Sequence, residues 1–285
     1  MANDFDNTAL NSVIKELWDE RIEDTRYATG VIMKNVANKS SIAVKKGDLI
    51  HVSIDQKYTV GTVSAAGAFT PQNYAVVTSD ITLNQWEQIA IRVLDRAEAQ
   101  AFWQPGSNFP ERAGAAYADR YDAQLAGLYT GITAQVGSTT SPSNFDKNLA
   151  QEAMLTLAKN NIPLEDLTFN LNPTAYYNGL CNEEQLTAAS KSGFDKNVIT
   201  TGRVFDLFGT PVSLSTNIIA TGTPSVHKNM LLHRSALAIA WQKDGEIEKV
   251  RGTAGGILAW IFVAQSLYGL ATIRADHGVV INSAV

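Results

Sequence analysis

The chain carries one cysteine, Cys181, in 285 residues. With no second thiol there is no internal disulfide, so the fold rests on its apolar core, as suits a reducing compartment. That thiol has no CxxC partner and no nucleophile signature around it, which leaves it the default role of a small buried residue. Histidine is scarce as well. His51, His227, His233 and His277 are scattered, and the six-residue step from His227 to His233 suits neither a helical nor an extended metal pair. A phosphate loop is missing, because Gly252-Thr-Ala-Gly-Gly256 lacks the lysine and hydroxyl residue that would grip phosphate. There is no Gly-x-Ser-x-Gly elbow for an esterase. The acid pairs Glu165-Asp166 and Glu183-Glu184 are sequence neighbours, and neighbours do not face each other across a cleft. No catalytic, metal or cofactor site is expected, and no enzyme.

Charge of one sign is lacking too. Lys and Arg number 23 against 28 Asp and Glu, a net charge of −5, so no bulk attraction to nucleic acid exists, although loose contact with a polyanion is compatible with it. The opening Met-Ala-Asn-Asp-Phe-Asp is acidic without an apolar run, so no signal peptide is expected. Between Arg251 and Arg274 no residue is charged, and Ile257 to Ala264 is almost wholly apolar. Gly252, Gly255, Gly256, Gln265, Ser266 and Gly269 interrupt this stretch, which falls short of the ~20 apolar residues a spanning helix needs. A buried strand, a turn and a second strand are expected there, and no membrane.

What is present is a core-forming composition, 45% hydrophobic and 18% charged, in a chain long enough for one large or two intimate domains. Residues 1–26 read as an arm with a short helix, since Val13, Leu17 and Trp18 fall at helical spacing with Ile14 and Ile22 beside them. Asp4, Asp6, Glu16, Asp19, Glu20, Glu23 and Asp24 outnumber Lys15, Arg21 and Arg26, so the arm is acidic. Leu49–Ile54, Tyr58–Val63 and Tyr74–Thr78 are alternating β-branched runs. A small-residue loop, Ser64 to Pro71, separates the last two, and the pattern predicts a long hairpin with a pliable tip. Lys34, Lys39, Lys45, Lys46 and Lys57 make this region basic against Asp48 and Asp55. Ile81–Val93 continues as a strand. Tyr117, Tyr121, Leu125, Leu128, Tyr129 and Ile132 predict an amphipathic helix over about 110–132, opened by Pro110 and Glu111 and closed by Gly131. Gly114 and Gly127 weaken it by about 1 kcal/mol each relative to alanine, and close approach of a neighbouring element is the expected reason. Gly137 to Ser143 marks a boundary. A second helix follows over Phe145–Lys159, then a strand in which Leu167, Phe169 and Leu171 alternate with polar residues. Asn172-Pro173 then opens a short helix ending at Gly179.

Three later segments, in fixed order, carry a resemblance: Gly202 to Asn217, Leu231 to Ala240, and Tyr268 to Ile281. Their texture is similar to the second half of tailed-phage major capsid proteins of the Hong Kong 97 type. Within the first, Gly209-Thr-Pro-Val-Ser-Leu-Ser-Thr-Asn217 resembles that family's Gly-x-Pro-Val-x-x-Ser segment. The strand, Asn-Pro and short helix of Phe169–Leu180 resemble the opening of its axial domain. The resemblance implies an α+β fold with an N-terminal arm and short helix (1–40), an extended hairpin loop (41–80), a peripheral domain with a long spine helix (81–144 plus 257–285), and an axial domain (145–256). It further implies hexamers and pentamers of this chain closing into an icosahedral shell around double-stranded DNA, in a virion assembled in host cytoplasm. A separate scaffolding protein, a portal and a decoration protein are the other implied partners. An encapsulin-like protein compartment is the alternative, and a tail or surface protein a further one. No position matches the isopeptide crosslink of some members. The candidate subunit contacts are Lys45, Lys46, Lys57 and Phe69 in the hairpin region and Asp19, Glu20, Glu23 and Asp24 in the arm, on the expectation that charge sets register while apolar contacts hold.

Overall fold

The structure is a computed structural model that describes residues 30–43, 47–55, 58–63, 65, 67–68, 70–73, 76–95, 109–182, 206–252 and 259–285. In chain order its strands are β1 (Ala37–Asn38), β2 (Leu49–Asp55), β3 (Val76–Thr82), β4 (Gln85–Leu94), β5 (Ala134–Val136), β6 (Leu167–Leu171), β7 (Asp206–Leu207), β8 (Thr210–Leu214), β9 (Ala220–Thr221), β10 (Val226–His233), β11 (Leu237–Gly252), β12 (Ala259–Thr272) and β13 (Gly278–Ala284). The two long helices are α1 (Phe109–Gly127) and α2 (Lys147–Lys159). One sheet has the order β1-β11-β12-β4. A larger one runs β5-β13-β10-β6-β8-β7, with β9 on the flank of β10, and β2 and β3 form a separate hairpin.

α1 forms where the stripe predicts it. Ala113, Tyr117, Tyr121 and Leu125 recur every four residues and are all buried, so one face of the helix packs on the β4-β11-β12 sheet. Tyr121 packs edge-on against Tyr268 and Trp241, and the Tyr117 hydroxyl donates to the Ala264 carbonyl at 2.8 Å. The helix tightens into a 3-10 turn over Leu128–Gly131. Close approach explains Gly131, where a Cβ would lie 2.5 Å from Thr272 Oγ1, but not Gly127, whose Cβ would meet its nearest neighbour at 3.9 Å. α2 starts at Lys147 rather than Phe145, because Asp146 caps it by accepting from the Leu149 N–H at 2.8 Å.

Asp122 on α1 holds the incoming chain. Its carboxylate accepts the backbone N–H groups of Val31 (2.8 Å), Ile32 (3.3 Å) and Met33 (3.1 Å). Burial pushes its carboxyl above the ordinary range, with those three N–H groups opposing.

Three expectations are corrected. Tyr58–Val63 forms no strand: these residues are exposed and have no apolar face to bury. β6 does not alternate between core and solvent, because it lies between β10 and β8 and all five of its residues are buried. Ile81–Val93 is not one strand, since β3 ends at Thr82 and β4 starts in another sheet. The sheets also do not follow a division at residue 256: β11 joins β12 and β4 in the four-stranded sheet, while β13 lies between β5 and β10 in the seven-stranded one. The described part of the uncharged stretch after Arg251 is one strand, β12, running through Gln265, Ser266 and Gly269, rather than two strands separated by a turn, and no described helix is long and apolar enough to cross a membrane.

Candidate assembly surfaces

The four-stranded sheet presents two unlike faces. Leu237, Ile239 and Trp241 of β11, with Tyr268 and Leu270 of β12, turn large side chains into the core beneath α1. Between them on the opposite face stand Ala238, Ala240, Gly269 and Ala271, paired as Ala238 with Ala271 and Ala240 with Gly269. This small-residue face is where the hairpin sits. Ile50, Ile81 and Leu83 pack on it with Ala43, and a Cβ at Gly269 would be 2.3 Å from the Thr82 carbonyl oxygen. The hairpin base is tied down further. The Lys39 N–H donates to the Ile239 carbonyl at 2.9 Å, and the Leu83 N–H to the Asp48 carbonyl at 2.7 Å. The Trp241 N–H donates to Ser40 Oγ at 3.0 Å.

Beyond that base the chain leaves the core. Every described residue from 58 to 73 is exposed, including Tyr58, Val60 and Val63, and Val60 is 101% exposed. The Gln72 side chain ties this stretch to Thr59, donating to the Thr59 carbonyl and accepting from its N–H. A segment so exposed offers apolar side chains to whatever lies beside the molecule.

A second exposed surface lies along β4. Its odd positions, Ile89, Ile91 and Val93, pack toward α1, whereas Trp86, Gln88, Ala90, Arg92 and Leu94 face solvent. Trp86 is 73% exposed, and Leu94 and Val250 add to the open apolar area. Trp86 was not singled out from sequence. The available signal is its parity, since it falls on the polar side of an alternating strand.

Where β4 meets α1, the Glu87 carboxylate is held by three side chains through four contacts. Arg120 donates to Glu87 Oε1 through Nε (2.8 Å) and Nη2 (2.6 Å), and the Gln124 amide donates to the same oxygen at 3.3 Å. The Tyr268 hydroxyl lies 2.9 Å from Glu87 Oε2 and 2.7 Å from Gln124 Oε1. Burial works to raise the Glu87 carboxyl, but the bonds from Arg120, Tyr268 and Gln124 outweigh it and hold the group below its ordinary value. Burial, then Glu87, pushes the Tyr268 phenol far up. This is a structural clamp, because Arg120, Gln124 and Tyr268 together satisfy the carboxylate.

All eight sequence-derived contact residues, Lys45, Lys46, Lys57, Phe69, Asp19, Glu20, Glu23 and Asp24, lie outside the described residues. Among the described residues no group of three or more His, Cys, Asp or Glu could hold a metal ion.

No family model and no curated protein matches the sequence. Solved structures do. The chain is similar to a structure of Mycobacterium phage Che8 at a TM-score of 0.74 and 23% identity, over 88% of this chain and 90% of that one. It is similar to the capsid of cyanophage P-SCSP1u at 0.73 and 14%, over 90% and 89%. It is also similar to a virus-like particle from Pyrococcus furiosus at 0.60 and 12%, over 94% and 99%. Near-complete coverage in both directions at such low identity shows shared architecture, and the chain has the Hong Kong 97-type capsid fold that its ordered C-terminal segments resemble.

Proposed function

We propose that this protein is a major capsid subunit, which self-assembles as hexamers and pentamers into an icosahedral shell enclosing double-stranded DNA in a phage virion. The observation that carries this reading is the fold shared with capsid chains over about nine-tenths of both partners. The exposed stretch from 58 to 73 supports it, since a thin subunit makes large contact area by laying such a limb over a neighbour. In this reading residues 41–80 are the extended loop and α1 is the spine helix. The acidic arm of residues 1–40 meets the basic hairpin region of another copy, with Asp19, Glu20, Glu23 and Asp24 facing Lys45, Lys46 and Lys57. Phe69 and the exposed valines supply the apolar part. The role is structural and not enzymatic. A net charge of −5 keeps contact with packaged DNA weak and independent of sequence. A scaffolding protein, a portal and a decoration protein are further partners, and assembly takes place in host cytoplasm.

A protein compartment of the encapsulin kind is the second reading, favoured by the virus-like particle that aligns over 94% of this chain. Electron microscopy of negatively stained, purified protein tests the first. Closed shells of uniform size are expected, and tubes, rings or monomers under every condition contradict it. Nuclease-resistant DNA inside shells from infected cells separates a virion from a compartment, which instead retains a protein cargo.

A further inference from the structure

The two sheets are joined by two turns that lie side by side. Residues 234–236 carry the chain from β10 of the larger sheet to β11 of the smaller, and residues 273–277 carry it back from β12 to β13. Backbone bonds cross between them: the His233 N–H donates to the His277 carbonyl at 3.0 Å, and the N–H groups of Ile273 and Arg274 donate to the Ala236 carbonyl at 2.8 and 3.1 Å. Side chains bridge the same gap. Ser235 Oγ lies 2.7 Å from His233 Nδ1 and 2.7 Å from His277 Nδ1. The Ser235 backbone N–H donates to His233 Nδ1 at 3.2 Å, and Arg274 Nη1 lies 3.4 Å from His277 Nε2. The two rings pack edge-on with centroids 5.3 Å apart.

Donor chemistry settles where the protons are. Arginine only donates, so His277 Nε2 carries a lone pair and its proton sits on Nδ1, pointing at Ser235 Oγ. The serine hydroxyl then donates to His233 Nδ1, which already accepts the Ser235 N–H. The bonds therefore run in one direction, from Arg274 through His277 and Ser235 to His233. A proton added to His277 goes to Nε2 and confronts the guanidinium. That charge sits on a largely buried ring, and it is relieved when the two turns part and the ring reaches water.

Little nearby offsets the new charge. Asp276 Oδ2 is 4.0 Å from His277 Nε2, but that side chain is 65% exposed and its pull is weakened by water. Arg234 on the first turn is exposed and adds positive charge, and the Asp166 backbone carbonyl takes the Arg234 N–H at 3.2 Å. Among the described residues, the other elements lining the cavity beside His277 bring neutral groups: Asn160, Asn161 and Ile162 after α2, Ile54 of β2, and Thr133, whose N–H and Oγ1 both donate to the Ala275 carbonyl.

We propose that His233, Ser235 and His277 form an acid-sensitive latch on the junction between the two sheets, closed while His277 is neutral and opened when it gains a proton. Burial, with Arg274 and His233, holds His277 below its ordinary value while Asp276 opposes, so the closed form is the one present at neutral pH. The inference goes beyond the assembly reading and does not rest on it.

Hydrogen exchange of the intact protein, corrected for intrinsic rates and followed in peptides covering 230–240 and 270–280, tests the latch. From pH 7.5 to pH 5.5 protection in both peptides should fall about tenfold, the factor that one displaced protonation equilibrium supplies. In the H233Q/H277Q double variant it should not respond to pH over that range. Unchanged protection in the native sequence, or an equal loss in the double variant, overturns the proposal. Should the double variant not fold, S235A keeps both imidazoles but removes their bridge. Low protection at both pH values is then expected, and a response equal to that of the native sequence overturns the latch.

Discussion

Gly269 decides how closely the hairpin lies on its sheet, because a side chain there would occupy the position of the Thr82 carbonyl. Gly269→Val should therefore lift the hairpin base and destabilise the subunit by about 1–3 kcal/mol, which thermal unfolding would register as a lower midpoint. Asp122→Ala removes the carboxylate that accepts three backbone N–H groups. Leaving buried donors unmade costs about 1–3 kcal/mol, and loss of protection at residues 31–33 by hydrogen exchange would locate the damage. Glu87 carries a pH prediction. Its folded carboxyl lies below the ordinary 4.5, so its contribution is fully present above about that value and is lost as pH falls through the folded value. The unfolding midpoint of the native protein should thus drop on acidification below pH 4.5 more steeply than that of Glu87→Gln. Parallel curves would show that the clamp stores no such stability.

At the scale of elements, legibility in the sequence followed what each element buries. α1 could be read because its aromatic stripe faces one sheet for its whole length, and β12 only in part, since Gln265, Ser266 and Gly269 look like a turn yet the strand runs through them. The ends of the hairpin were legible because Ile50 and Ile81 meet the small-residue face of the sheet. Tyr58–Val63 was misread because alternating β-branched residues look alike whether they pair in a sheet or are held out for a neighbour. Trp86 escaped notice because its meaning depends on which side of β4 the helix covers. The histidine pair was invisible, as the two residues are 44 positions apart and meet only because two sheet-crossing turns run together. Replacing residues 59–72 with a short turn should leave thermal stability within about 0.5 kcal/mol, as for exposed positions generally, and abolish assembly. Trp86→Gln should do the same more mildly.

For the whole molecule, the described surfaces include two apolar areas outside the core. One lies along the limb from 58 to 73 and the other on the open side of β4. Charge reversal in the arm-to-hairpin pairing, Lys45→Glu with Lys46→Glu, should impair assembly while the unassembled subunit keeps its circular dichroism spectrum. A variant that forms normal shells would remove that pairing. Low sequence identity with retained architecture is what such a fold permits, since contacts spread over arms and loops can drift together while the sheet-and-helix body holds its shape. The most direct measurement is the mass distribution of the purified protein, by sedimentation velocity, beside that of the variant lacking 59–72. The native chain is expected to run as a discrete, shell-sized particle and the shortened chain as a folded subunit or small oligomer. A native chain that stays monomeric at every concentration, or a shortened chain that closes equal shells, contradicts the account.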